Sequence, residues 1–208
     1  MSYMIDLRVL ELLGSRICHD LISPVTAINN GMELLEDDPG DMLDDIRSLL
    51  MNSAAEGSAK LQYFRLAYGL GGDPDGEVGI GTAADLCARL QQHEKVNVTW
   101  PAERERMLPR LVIKSAMNMV LMAIEALPRG GEINVTFGGD GITVTGAGQG
   151  ARIEDGCREA LGDITVDALT PRTIQSYFTR QVVSAAGGTL QAEAIGEGEV
   201  KLTASVRI

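Results

Sequence analysis

The hexapeptide His-Asp-Leu-Ile-Ser-Pro, residues 19 to 24, lies inside a long amphipathic helix pattern near the N-terminus. With about 3.6 residues per turn, several large aliphatic residues fall roughly opposite His19 on the helical wheel. They are Leu10, Ile17, Leu21, Ile28 and Leu35. The side that carries His19 is mostly polar, so we expect this histidine to be exposed to solvent while the far side of the helix is buried.

Pro24 interrupts the helix pattern after the histidine. A proline inside a helix lacks the N–H that would bind the carbonyl of Asp20, clashes with the preceding turn and costs about 3 kcal/mol. We expect something in the structure to compensate for this cost. A bend would open the helix to a partner beside His19, and the alternative is a kink that serves packing alone.

Around this stretch the sequence predicts two consecutive helices, residues 4 to 37 and about 41 to 70, separated by an Asp-, Pro- and Gly-rich break. Each helix has an apolar seam, and two antiparallel helices cannot bury two such seams by themselves. We therefore expect two copies of the hairpin to form a dimeric four-helix bundle. The seams are Leu10, Leu13, Ile17, Leu21, Val25, Ile28, Met32 and Leu35 in the first helix, and Leu43, Ile46, Leu50, Ser53, Gly57, Leu61, Phe64 and Tyr68 in the second.

The glycine- and aspartate-rich stretch 71–76 has the composition of a linker. We predict a helical hairpin domain over residues 1–71 and an α+β domain over residues 77–208. In the second domain, helices are predicted at about 82–93, 109–127 and 171–186, and strands at about 96–100, 131–137, 141–145, 189–195 and 200–208. This pattern indicates helices on one face of a mixed sheet, so the expected fold is an antiparallel helical hairpin followed by an α/β sandwich.

Composition restricts the classes of partner. The chain has 208 residues, a net charge of −11 and an isoelectric point near 4.6. Negative charge opposes binding to nucleic acid phosphates and to anionic membranes, so neither is an expected partner. No apolar run is long enough to span a bilayer and no signal peptide is evident, so we expect a cytoplasmic protein. The cysteines, Cys18, Cys87 and Cys157, lack the paired spacing of a zinc site, and no metal is expected.

Four segments, in their order and spacing, resemble two-component histidine kinases over nearly the whole chain. The stretch from His19 to Pro24 is similar to the kinase H-box on the first helix of a dimerisation hairpin. The run from Asn118 to Pro128, followed by Gly130 to Ile133, is similar to the N-box helix and the strand after it. Gly146 to Gly150 stands where the first glycine box belongs, and Ala185 to Gly188 resembles the end of the helix that follows the second. The resemblance implies a degenerate form of the histidine-kinase ATPase (Bergerat) fold for the second domain.

The chain departs from these kinases at the positions that would bind nucleotide. A kinase N-box has a second asparagine for the magnesium ion, where this chain has Met122, a thioether unsuited to a hard cation. The aspartate of the first glycine box, which receives adenine, corresponds to Gly146. The second glycine box corresponds to Thr173–Phe178, which has no glycine, and residues 151–170 are too few for a long ATP lid. We therefore expect no bound ATP or other cofactor, and Asn118, Gly148 and Gly150 would be vestigial.

A kinase-like hairpin that keeps its histidine without a nucleotide site can receive phosphoryl groups from another protein. The stretches Ser15 to Gly31 and Phe64 to Gly69 resemble, in particular, the ChpT-type dimeric histidine phosphotransferases of alphaproteobacterial relays. The resemblance implies that His19 accepts a phosphoryl group from the receiver aspartate of a hybrid kinase of the CckA kind. It then passes the group to response regulators of the CtrA and CpdR kind, in cell-cycle regulation. Mg²⁺ is expected on the partner receiver domain.

Phosphoryl transfer requires mainly positioning and charge stabilisation. Asp20 or Ser23 can orient the ring nitrogen of His19 that does not react. Arg16 can balance phosphate charge, and a surface salt bridge is the equally expected alternative. The candidate docking residues for a receiver are Leu12, Ser15, Ile22, Thr26 and Asn30, and for the two aliphatic ones the alternative is burial under the second domain.

Two other functions stay open. The chain could be an ATP-dependent histidine kinase with an unusual nucleotide site, which a measured nucleotide affinity would reveal. It could also be a noncatalytic dimeric adaptor on a degenerate kinase fold, which phosphorylation of the histidine would exclude. The second histidine, His93, has no partner motif and is expected to be a surface residue.

Overall fold

The computed structural model describes residues 6–36, 40–69, 73, 76–139 and 141–208. Its first part is a helical hairpin in which α1 spans Leu7–Glu36 and α2 spans Leu43–Ala67, with a short 3-10 turn at Gly40–Met42 before α2. Both predicted helices are confirmed, although residues 4, 5, 37 and 70 of the predicted ranges lie outside the described residues. Gly40 has a φ of 49°, a left-handed conformation that glycine adopts with little strain.

The two helices approach each other closely at Pro24 and at two glycines. A Cβ at Gly31 would lie 2.8 Å from Cδ2 of Leu50, and a Cβ at Gly57 would lie 3.7 Å from Cβ of Pro24. Pro24 is buried, and α1 runs unbroken through it. Of the two expected uses of this proline, the structure shows packing, because its ring is buried next to Gly57 of α2.

The second part of the chain is built on a mixed sheet of five strands. In chain order the strands are β1 (Glu77–Gly79), β2 (Val96–Thr99), β3 (Met107–Pro109), β4 (Gly131–Gly138), β5 (Gly141–Ala147), β6 (Thr189–Gly196) and β7 (Glu199–Ser205). The main sheet has the order β2-β4-β5-β7-β6, and β1 pairs with β3 separately. β2 and β4 are parallel, whereas the other neighbours in the main sheet are antiparallel, so the predicted mixed sheet is confirmed.

The helices of this part form one layer against the sheet. They are α3 (Ile80–Gln91), α4 (Arg110–Ala126), α5 (Asp155–Glu159) and α6 (Ile174–Ala185), and a 3-10 turn lies at Val166–Ala168. α4 contacts β4, β5 and β7 and is flanked by α3 and α6. Asn134 and Thr136 of β4 are exposed on the opposite face of the sheet, so that face is open to solvent. The predicted α/β sandwich is therefore confirmed.

The hairpin and the sandwich share one apolar core. Tyr63, Phe64 and Ala67 of α2 belong to the main cluster of buried residues together with α4 and the sheet. The hydroxyl of Tyr63 donates a hydrogen bond to the carbonyl of Met117 at 2.8 Å. Val9 of α1 packs in a smaller cluster with Leu169 and Ile174. The linker positions 71, 72, 74 and 75, on which the predicted domain boundary depends, lie outside the described residues.

The predicted apolar seam of α1 is only partly buried within the single chain. Leu10 is 61% exposed, Val25 49% and Met32 50%, and Leu61 of α2 is 56% exposed. The side of α1 that is buried carries Val9, Pro24 and Gly31 instead. The reason is that α1 contacts both α2 and the sandwich, and those contacts turn part of the seam outward.

No helix among the described residues is long and apolar enough to cross a membrane.

Candidate active site

His19 lies on the exposed side of α1, with 86% of its side chain accessible to solvent. The predicted exposure is confirmed. On the other side of the same helix Pro24 is buried. The imidazole therefore projects into solvent from a helix whose opposite side is packed.

Asp20 contacts the imidazole directly. Its Oδ1 lies 3.3 Å from Nδ1 of His19. When Nδ1 carries the ring proton and donates to this carboxylate, the lone pair of the neutral imidazole is on Nε2. Of the two residues expected to orient the ring, Asp20 makes this contact, and Ser23 is exposed on the same helix. The arrangement can present Nε2 as a nucleophile.

Lys60 of α2 meets the same turn of helix from the other side. Its Nζ lies 3.3 Å from the carbonyl oxygen of Asp20 and 2.6 Å from Oε1 of Glu56. The Asp20 carbonyl is the one that Pro24 leaves without a helical donor. Sequence reasoning identified this missing hydrogen bond but not the lysine that supplies it, because Lys60 is 40 residues away and on another helix.

Arg16 forms an ion pair within the chain, as in one of the two alternatives stated for it. Its guanidinium forms an ion pair with Glu125 of α4, and only 15% of the Arg16 side chain is exposed. Burial by itself would lower the pKa of Arg16, but the charges of Glu125, Tyr68 and Asp20 and the hydrogen bond to Glu125 together raise it, so the guanidinium stays charged. This ion pair ties the histidine helix to the sandwich rather than leaving Arg16 free at the surface.

Four of the expected docking residues are exposed. Ser15, Ile22, Thr26 and Asn30 are open to solvent on α1, and Ile22 is 59% exposed. Leu12 is a correction, because it is half-buried and packs against the cluster of Val9, Leu169 and Ile174. Burial under the second part of the chain, the alternative stated for Leu12, is what the structure shows.

A cleft of about 640 Å³ lies between α1 and the sandwich, beside the histidine. Ser15, His19 and Asp20 line it from α1, and Met122 and Glu125 line it from α4. It is also bordered by the segment after β5 that includes Arg152, Glu154 and Cys157. The candidate site is therefore composite, since both parts of the chain contribute to the surface around His19.

Packing within the chain accounts for several of the positions at which this sequence departs from the kinases. Met122 is buried. A Cβ at Gly146 would lie 3.2 Å from Val200 and 3.4 Å from Leu127, so the place of the adenine acceptor is occupied by aliphatic groups. At Gly148 a Cβ would lie 2.2 Å from the carbonyl oxygen of Gly130, which requires glycine for packing. Gly150 has a φ of 75°, which explains a glycine at that turn without a ligand.

The stretch expected to replace the second glycine box is ordered secondary structure. α6 begins within it, at Ile174, and Ile174, Gln175 and Ser176 are buried. The short segment before it contains α5 and the 3-10 turn, with Ala160 and Leu169 buried. This stretch therefore packs against α4 and α1.

Asn118, the vestigial N-box residue, has partners within the chain. It is fully buried, and its Nδ2 donates to the carbonyls of Ala67 at 2.7 Å and Lys114 at 2.9 Å. Its Oδ1 accepts from Nε2 of Gln175 at 3.0 Å, and Oε1 of Gln175 accepts from the hydroxyl of Tyr68 at 2.6 Å. The asparagine thus joins the end of α2 to α4 and α6. Nothing in the sequence pattern identified Gln175, Tyr68 or Glu125 as members of such interactions, because their partners are far away along the chain.

Comparison with known proteins gives the same assignment for sequence and fold. The family model described as the histidine phosphotransferase C-terminal domain matches residues 80–198. The protein phosphotransferase ChpT of Brucella abortus (strain 2308) is 34% identical over 205 residues, which are 95% of this chain and 97% of that protein. A solved structure of a bacterial phosphotransferase superposes with a TM-score of 0.83 at 32% identity, covering 98% of each chain. With its exposed histidine beside a composite cleft, the chain belongs to the ChpT-type histidine phosphotransferases.

Proposed function

We propose that His19 is the phosphoacceptor through which this histidine phosphotransferase receives and passes on phosphoryl groups. The observation that supports the proposal is the exposed imidazole with Asp20 on its Nδ1. Nε2 attacks the phosphorus of a receiver's aspartyl phosphate, the N–P bond forms and the P–O bond to the aspartate breaks. The aspartate leaves as a carboxylate with the electron pair. Nδ1 keeps its proton, and the positive charge of the ring is balanced by Asp20 and the phosphoryl group.

The partners of such a transferase are kinases and response regulators of a phosphorelay. The finer proposal is a donor receiver on a CckA-like hybrid kinase and acceptor receivers of the CtrA-like and CpdR-like kind, each bringing its own Mg²⁺. Their support is the family resemblance, and the same resemblance supports a cytoplasmic location. Ser15, Ile22, Thr26 and Asn30 form the proposed docking strip around His19, exposed on one side of α1.

The transfer is proposed to need no ATP. Three features support this: the buried Met122, the aliphatic groups in front of Gly146 and the helical start of α6. Magnesium, adenine and phosphate would each lose a contact, and a modest nucleotide affinity does not survive three such losses.

The protein is also proposed to act as a homodimer through its hairpin. Exposed apolar residues share one side of each helix. They are Leu7, Leu10, Val25 and Met32 on α1, and Leu43 and Leu61 on α2. A contiguous apolar stripe of this length is typical of a surface that another chain covers. A second hairpin would complete a four-helix bundle.

Phosphorylation tests the central proposal. The chain is mixed with a phosphorylated hybrid-kinase receiver, with the unphosphorylated receiver, or with magnesium ATP alone. Label should appear only with the phosphorylated receiver and should be lost in His19→Ala, whereas the control His93→Ala should keep it. Label from ATP alone would show a kinase, no label from any donor would show an adaptor, and label that survives His19→Ala would place the acceptor elsewhere.

A further inference from the structure

In the interior of the helix that carries His19, Pro24 leaves a backbone carbonyl without a donor from its own helix. In an α-helix each carbonyl accepts from the N–H of the residue four positions later, and Pro24 has no N–H. The carbonyl affected is that of Asp20, the residue whose carboxylate lies 3.3 Å from Nδ1 of His19. The position of Asp20 therefore depends on a donor from outside α1.

Lys60 is that donor. Its Nζ lies 3.3 Å from the Asp20 carbonyl oxygen, and only 14% of its side chain is exposed. The ammonium is itself held by Glu56, one turn earlier on α2, at 2.6 Å. A largely buried lysine whose ammonium is held by two oxygens is a fixed support rather than a mobile surface group.

The charge of Lys60 also offsets a group of carboxylates near the histidine. Asp20, Glu56 and Glu94 all interact electrostatically in this region, and burial raises the pKa of Glu94 while Lys60 opposes that rise. Without Lys60, a doubly charged phosphoryl group approaching His19 would meet these carboxylates with one fewer compensating positive charge.

We propose that Lys60 is a positioning residue for phosphotransfer, acting through Asp20 on His19. By fixing the Asp20 carbonyl, Lys60 keeps the Asp20 carboxylate on Nδ1 and so presents Nε2 to the incoming phosphorus. The inference rests on the proposed role of His19 and adds a residue of the other helix to the site. In this role Lys60 contacts neither the receiver nor the phosphoryl group.

The test uses the full-length protein with Lys60→Met, which keeps most of the side-chain stem and removes the charge and the donor. Lys114→Met is the matched control, because Lys114 also donates to backbone carbonyls at the end of α2, those of Tyr68 at 3.1 Å and Gly69 at 3.2 Å, away from His19. Lys60→Arg should keep the charge and the donor. Single-turnover transfer from a phosphorylated receiver is measured at saturating receiver, together with receiver affinity.

We expect Lys60→Met to slow transfer about ten-fold or more with receiver affinity unchanged, since small displacements of a reacting group have effects of this size. Lys60→Arg should restore most of the rate, and Lys114→Met should leave it unchanged. In the free protein, nitrogen NMR of the His19 ring should show a smaller fraction with the proton on Nδ1 in Lys60→Met. If Lys60→Met proves unfolded, Lys60→Gln, which keeps a neutral donor, should fold and show the same NMR change to a smaller extent.

Wild-type rate and an unchanged ring tautomer in a folded Lys60→Met protein would overturn the proposal, as would an equal loss of rate in Lys114→Met. The NMR measurement needs no receiver. A chain that is not labelled at His19 would therefore refute the proposed function, while an unchanged tautomer would refute the positioning role of Lys60 separately.

Discussion

Asn118 illustrates how a single residue can change its task while keeping its place. In the resemblance to kinases it stands at the first asparagine of the N-box, whereas here its amide atoms bind the carbonyl of Ala67, the carbonyl of Lys114 and the side chain of Gln175. Sequence reasoning could identify the lost neighbour at Met122, because that requires only the residue type. It could not find the new partners, because they come from α2 and α6.

Replacing Asn118 by leucine should destabilise the protein without any effect on nucleotide binding. The change removes the side-chain donor to the Ala67 carbonyl and one acceptor of the buried Gln175 amide, and an unsatisfied buried polar group costs about 1–3 kcal/mol. Urea unfolding should show a lower midpoint for Asn118→Leu. Asn134→Leu, on the exposed face of β4, is the control and should change the midpoint little, and equal shifts in both variants would contradict the structural role of Asn118.

Cys87 makes the folded protein sensitive to alkaline pH. Burial raises the pKa of this thiol from 9.0 to about 11. Between these values the unfolded chain has lost the proton and the folded chain has kept it, so stability falls as pH rises. The loss is about 2–3 kcal/mol once pH exceeds both values. Cys87→Ala should reduce the decline of the unfolding free energy between pH 9 and 11. Cys18→Ala, which removes an exposed thiol, should leave the decline unchanged. Parallel curves for the wild-type protein and both variants would contradict this.

At the scale of elements, periodicity predicted most of the architecture. The helices predicted at about 82–93, 109–127 and 171–186 correspond to α3, α4 and α6, and the predicted strands at 131–137 and 141–145 form the β4–β5 hairpin. β1, β3 and α5 were missed, because elements of three to five residues are too short to show a period. For α1, periodicity identified the apolar positions but not which of them α2 and the sandwich cover and which stay exposed in the single chain.

The outward apolar stripe leads to a prediction for assembly. Met32 is 50% exposed and lies on the stripe, whereas Leu34 is 44% exposed and lies on a different side of α1. Met32→Glu should dissociate the proposed dimer, because an unpaired charge in an interface costs about 3 kcal/mol or more, a change above about a hundred-fold in Kd. Leu34→Glu should leave the dimer intact. Sedimentation or light scattering distinguishes the two, and a monomeric wild-type protein would contradict the proposal.

At the scale of the whole molecule, the hairpin and the sandwich are joined by a common interior. The sequence indicated two parts, because the glycine-rich stretch at 71–76 separates two kinds of pattern. It could not indicate that Tyr63, Phe64 and Ala67 of the hairpin are buried with α4, since their spacing is the same whether they face a second hairpin or a sheet domain. The Arg16–Glu125 ion pair and the cleft beside His19 follow from that docking and were equally hidden.

This shared interior predicts that the chain unfolds in one cooperative step. Tyr63 has no exposed surface, so the hairpin cannot separate from the sandwich without exposing apolar groups of both. Calorimetry at fixed protein concentration should show a single transition. Spectroscopic probes placed in the hairpin and in the sandwich should report the same unfolding midpoint. Two resolved transitions in the wild-type protein would contradict cooperative unfolding. Tyr63→Ala, which removes a large fully buried side chain shared by both parts, should be the variant in which the hairpin and the sandwich unfold separately.

The contact between Lys60 and the Asp20 carbonyl also has an evolutionary consequence. An alanine at position 24 would restore the N–H that the Asp20 carbonyl lacks, and the lysine would then be dispensable for that carbonyl. The cost of losing Lys60 thus depends on whether proline is still present. In evolution, substitution of Lys60 should therefore be tolerated after substitution of Pro24 but not before it. In the laboratory, Pro24→Ala should suppress the transfer defect of Lys60→Met.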